Sequence, residues 1–155
     1  MFYNLTNLFK PTLIYFLALQ KCSKRSPFLI HGLWVDFESG GFPEYCKKVD
    51  FNVTLLDPIR DELNEKWISC PRYHHSNEWL WKHEFDRHFS CFEHNLSQFE
   101  YFIATLNIYN KYQKNFEELC KGKRNCMIQI KHSEIHKTYT SKIQEIVDDI
   151  IWYVL

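Results

Sequence analysis

The segment WLWKHEFDRHFSC, Trp79–Cys91, holds two histidines, two carboxylates and a guanidinium in six consecutive residues between aromatic flanks. At about 100° per residue, a helix places His83, Glu84, Arg87 and His88 within an arc of about 140°, with Trp81, Phe85, Phe89 and Phe92 opposite. The expectation is an amphipathic helix with a titratable face. Glu84 and His88 stand four apart, as do His83 and Arg87, so two interacting pairs are expected. Taken alone, such a face is also what a solvated charged surface looks like. A zinc site fits less well. HEFDRH has one residue more than HExxH, which turns the second histidine about 100° further and spoils convergence on one ion. His132 and His136 have the four-residue spacing but no apparent third ligand and read as surface residues. Neither a metal nor a cofactor is expected.

Working outward, FLIHGLWV (28–35) reads as a central β-strand whose apolar residues bracket one histidine. A histidine followed by glycine inside such a run is an odd choice if burial were its only purpose. DFESGGFPEYC is a loop. DPIRDELNEKW (57–67) opens on Asp57–Pro58, a helix-start signal, and ends near Trp67. SCPRYHHSN (69–77) is a second loop, with Ser76 or Asn77 as cap for the helix of the opening motif. LSQFEYFIATLNIYNKYQKNFEELC has helical periodicity, with Phe99, Phe102, Ile103 and Leu106 on one stripe. A basic turn, KGKRNC, leads to a short strand, MIQIKH, and SKIQEIVDDIIWYVL predicts a closing amphipathic helix. PTLIYFLALQ (11–20) is too short to span a membrane and reads as a signal-peptide core or a buried strand.

With 155 residues, 45% hydrophobic and 17% aromatic, the chain suits one globular domain and excludes disorder. Nineteen basic residues balance nineteen acidic ones, so any nucleic-acid contact needs a local basic patch. Six scattered cysteines without a CxxC favour a disulfide framework. Sequons at Asn4, Asn52 and Asn95 add to the case for the secretory route.

Two separated histidines with a nearby cation and carboxylate are what metal-free transphosphorylation of RNA requires. One imidazole removes the 2′-OH proton, the other protonates the departing 5′-oxygen, and the cation stabilises the phosphorane. A pKa near neutrality suits histidine to both roles.

HGLWV and WKHEFDRHFSC together resemble the two active-site signatures of the ribonuclease T2 family, HGLWP and roughly WxHEWxKHGTC, particularly the plant S-RNases and S-like RNases. Similarity continues through YFLALQ, GGFPEYC, WISCP, YFIATLNIYNKY and YTSKIQEI, over most of residues 13–146. The resemblance places 11–20 in the mature fold as a strand. It implies an α+β fold, a central antiparallel sheet flanked by helices, in a single domain over 1–155 that is shortened at its C-terminus. It implies His31 as general acid, His88 as general base, and His83, Glu84 and Arg87 around the scissile phosphate. Trp34 would stack on a base and Asp36 accept a hydrogen bond from one. Cys46–Cys91 and Cys22–Cys70 are the implied disulfides, while Cys120 and Cys126 either bridge each other or stay free.

The implied partner is single-stranded RNA, not DNA or a membrane, bound by a secreted monomer; an F-box partner follows only for a self-incompatibility protein. The rival reading is a non-catalytic T2-like RNA-binding or recognition protein. Arg87 stands where the family has lysine, Val35 where it has proline, and Phe89 where it has glycine. A phenyl ring at 89 is expected to crowd the pocket beside His88.

Overall fold

The computed structural model describes residues 10–135; the Asn4 sequon, His136 and the expected closing helix lie outside the described residues. Strands β1 (Leu13–Gln20) and β2 (Leu29–Phe37) pair antiparallel. β3 (Asn125–Ile130) adds to the other edge of β1, giving the order β2-β1-β3. The run 11–20 is therefore a strand, and it occupies the middle of the three. The histidine-bearing strand, expected to be central, is an edge of the described sheet. Exposure explains the difference: β1 is buried at every position from Leu17 to Gln20, whereas β2 leaves His31, Trp34 and Asp36 half-exposed. A strand buried on both faces belongs inside a sheet.

The pairing of β1 with β2 slips once. Ala18 faces Gly32 and Leu19 faces Ile30, so His31 is the extra residue of a β-bulge. Without a slip, residues three apart on a strand point to opposite faces. The bulge lets Ile30 and Leu33 both enter the core at 0% exposure and turns His31 out of the ladder. Trp67 Nε1 donates to the His31 carbonyl at 2.9 Å, which satisfies the backbone that the bulge displaces.

Helix α1 (Arg60–Lys66) begins later than Asp57–Pro58 predicts. Asn52 accepts from the Thr54 N–H at 3.1 Å and starts a 3-10 segment, Val53–Ile59, that runs through Pro58. Helix α2 (Asn77–Arg87) is capped by Ser76, whose Oγ accepts from the Trp79 N–H at 3.0 Å. A capping box of Ser97 and Glu100 opens α3 (Gln98–Tyr112). The periodic run does not continue unbroken to Cys120, because a 3-10 turn at Gln113–Asn115 separates α3 from α4 (Phe116–Cys120).

Tyr15, Leu17, Ile30, Leu33 and Val35 of the sheet join Tyr101, Phe102, Ile103 and Leu106 of α3 in one core. Two buried phenols fix the helix to the strand region: Tyr101 donates to the Leu33 carbonyl at 3.0 Å and Tyr109 to that of Phe28 at 2.7 Å. Disulfides join Cys22–Cys70 and Cys46–Cys91, as the resemblance implies, and Cys120–Cys126. The fold is α+β.

Candidate active site

The four polar residues of the opening motif do not share a solvated face. Glu84 is 1% and His88 4% exposed. α2 stops at Arg87, His88 caps it, and Phe89–Cys91 is a 3-10 turn. The His88 N–H still bonds to the Glu84 carbonyl at 3.0 Å, so the four polar residues keep their helical spacing, and the change of helix type redirects only Phe89 and the residues after it.

Glu84 is the hub. Its Oε2 accepts from Trp34 Nε1 at 2.6 Å, Oε1 lies 3.4 Å from His31 Nε2, and Oε2 lies 3.6 Å from His88 Nε2. One buried carboxylate thus connects the bulge histidine, the helix-end histidine and the strand tryptophan. Gly32 makes this possible, because a Cβ there would collide with Glu84 Oε2 and lie 2.5 Å from Trp34 Nε1. The glycine after His31 is a demand for space.

His88 stacks on Trp34 with centroids 4.9 Å apart, and His31 meets the same indole edge-on at 5.1 Å. Neither ring nitrogen of His88 has a hydrogen-bond partner among the described residues. Burial, seconded by the positive charge of Arg87, His31 and His83, outweighs the attraction of Glu84 and lowers the His88 pKa to about 4. The imidazole is therefore neutral at pH 7 and able to accept a proton. Trp34, Asp36, Phe42, Arg87, His88 and Met127 wall a cleft of about 150 Å³. Partial burial raises the Asp36 carboxyl above its ordinary pKa. Trp34 gives one face to His88, which closes that face to a base.

His83 and Arg87 do not pair. His83 stacks on Trp79 at 4.9 Å, and Trp79 stacks on His75 at 3.7 Å. With His31, Gln20 and Ser69, this ladder lines a cleft of about 250 Å³. Arg87 Nε donates to Glu44 Oε2 at 2.8 Å instead. The loop carrying Glu44 is held on the end of α2 by the Cys46–Cys91 bridge, by the Tyr45 N–H to the Arg87 carbonyl (2.9 Å) and by the Cys46 N–H to Ser90 Oγ (3.0 Å). Glu44 was not among the expected site residues, though its signal lay in being two positions before a cysteine whose implied partner closes the motif. The 75/79/83 ladder was legible too, as rings at four-residue spacing.

Phe89 does not crowd His88. Its ring is 8% exposed and packs on Phe85 at 4.6 Å and Tyr101 at 4.9 Å. The 3-10 turn sends it into the core, and it lines neither cleft described above. The sequon residues Asn52 and Asn95 are both exposed.

Known proteins share the fold and the family. Ribonuclease 3 of Arabidopsis thaliana is 35% identical over 89 residues, 54% of this chain and 38% of that relative, so the chain spans under half the relative's length. Ribonuclease MC1 from the seeds of bitter gourd is similar in structure, with a TM-score of 0.58 and 22% identity, over 86% of this chain and 76% of that one. RNase NT, solved in complex with 5′-AMP, gives a TM-score of 0.58 at 18% identity, over 85% of this chain and 73% of that one. These two likenesses carry the fold. The family model described as Ribonuclease T2 family matches residues 2–149, nearly the whole sequence, and on that span the chain belongs to the ribonuclease T2 family.

Proposed function

We propose that the protein is a secreted, metal-free endoribonuclease that cleaves single-stranded RNA by transphosphorylation. The observation that carries this reading is the Glu84 carboxylate between His31 and His88, which brings a strand histidine and a helix-end histidine to one buried anion. His88, neutral at pH 7, takes the proton of the 2′-OH. The 2′-oxygen then attacks phosphorus, the bond to the 5′-oxygen breaks, and His31, as general acid, supplies the leaving oxygen with a proton. A 2′,3′-cyclic phosphate and a free 5′-OH result. Arg87 is the cation for the equatorial oxygens, and His83 and Glu84 complete the surroundings of the phosphate. Trp34 and Asp36 receive the base on the open face of the indole. Three disulfides and exposed Asn52 and Asn95 support passage through an oxidising compartment.

The test is incubation of the purified protein with single-stranded RNA in EDTA, with mass analysis of the ends. Cyclic-phosphate termini are expected, and His31→Ala and His88→Ala should each lower the rate by about 10²-fold or more while the fold persists. Near-full activity of either variant would refute the roles assigned to the pair. One observation favours a second reading, a non-catalytic RNA-binding or recognition protein: His88 is 4% exposed and lies under Trp34. Intact RNA that nevertheless binds the protein would select it.

A further inference from the structure

The sequence balances its charges overall, yet one face of the molecule does not. The Cys120–Cys126 bridge closes the loop CKGKRNC, which carries three cations in four residues. Lys121, Lys123 and Arg124 are all exposed, and no carboxylate pairs with them among the described residues. Lys121 adopts a left-handed conformation (φ 50°), which fixes the tip of the loop.

Two guanidiniums, Arg124 of this loop and Arg72 beside it, are already positioned by backbone. Arg72 Nη1 donates to the Cys22 carbonyl at 3.0 Å, and Arg124 Nη2 donates to the same oxygen at 3.3 Å. Neither has an acidic partner among the described residues. The nearby acids are Glu117, which is taken by Lys21 at 2.7 Å, and exposed Glu118. A cluster of like charges without acidic partners focuses a field that attracts anions.

These cations connect to the histidines. A cleft of about 720 Å³ runs from His31 and Trp34 along β1 and β3 to Lys121 and Lys123. A second, of about 390 Å³, is walled by Lys21, Arg72 and Arg124. Tyr73 and Asn125 line both, so the two form one path, and the half-exposed Tyr73 ring stands at their junction. The register explains the placement: Gln20 pairs with Asn125 and Leu19 with Cys126, at the end of β1 that lies against the His31 bulge.

We propose that the disulfide-closed loop, with Arg72 and Arg124, binds the sugar–phosphate backbone of an RNA strand several nucleotides from the bond that is cut. This rests on the reading of the chain as an RNA-cleaving protein. It makes the protein a reader of strand length, since a dinucleotide reaches only the histidines whereas a longer strand also reaches the loop.

The experiment compares the parent with Lys121→Gln/Lys123→Gln, two exposed residues outside the catalytic group, after thermal melts establish that both are folded. Binding of a 2′-O-methyl oligonucleotide of about a dozen nucleotides, which cannot transphosphorylate, is followed by fluorescence anisotropy between about 50 and 200 mM salt. The double variant should bind roughly 10-fold more weakly at the low end, and its log Kd against log salt should be shallower by about 0.7 per lost contact. Its cleavage of a dinucleotide should equal the parent's. Equal affinity and equal slope would overturn the proposal, as would polyglutamate competing as well as a polynucleotide, which would mean a generic acidic partner. A parent that leaves both the dinucleotide and long single-stranded RNA uncut but shows the loop-dependent slope would sink the nuclease reading and leave the RNA track standing.

Discussion

Gly32 lies where a strand backbone, a carboxylate and an indole nitrogen meet, and any side chain there must move one of them. Gly32→Ala should push Glu84 away from Trp34 and so from both histidines. Cleavage per folded molecule is expected to fall by about 10²-fold, the scale of lost acid–base positioning. Kinetics corrected for the folded fraction check this, and an alanine variant with parental rates would mean that Glu84 does not organise the pair. His88 makes a separate prediction about pH. Its pKa falls from 6.5 to about 4 on folding. The unfolded chain therefore binds a proton that the folded chain refuses between those values. Stability is whole above pH 6.5 and drops as pH falls toward 4, by roughly 3 kcal/mol from this group. Urea unfolding at pH 7 and near pH 4.5, parent against His88→Asn, should show the variant losing less on acidification; equal losses would place His88 outside the linkage.

At the scale of elements, the short turn after α2 decides more than the helix does. Because Phe89 sits in that 3-10 turn and packs on Phe85 and Tyr101, removing its ring should cost about 3–5 kcal/mol. Phe89→Gly is accordingly expected to melt earlier with no gain in rate per folded molecule, and a faster variant would show that the ring obstructs substrate after all. The same turn marks where sequence reading ran short. Trp81 and Phe85 could be assigned to the core, and α3 recognised, because local period reports which side of an element meets the core, whereas the run that forms β1 was placed in the fold by the family resemblance. The motif pair led to His31, Glu84 and His88. The partner of Arg87 was hidden because Glu44 is brought in by a covalent bridge across 45 positions. The bulge at His31 was hidden because a slip in register belongs to two strands at once, and only the glycine beside it gave a trace. Within the described sheet β2 is an edge where a central place is expected, since the order of strands follows from which faces are covered.

For the whole molecule, the Cys22–Cys70 and Cys46–Cys91 bridges span 48 and 45 positions. Loop-closure entropy puts either at about 4 kcal/mol, so the two should be worth similar amounts to thermal stability. Their effects on dinucleotide cleavage should differ. Replacing Cys46 and Cys91 by alanine frees the Glu44 loop from the end of α2, and the rate per folded molecule should fall; replacing Cys22 and Cys70 should leave it near the parental value. Equal rates for the two double variants would show that the bridge at the helix end only stabilises. If the rates do differ, the bond that finishes the fold also finishes the site. A newly made chain whose thiols are still reduced would then cleave more slowly than the finished one, and its full rate would follow oxidation, not translation.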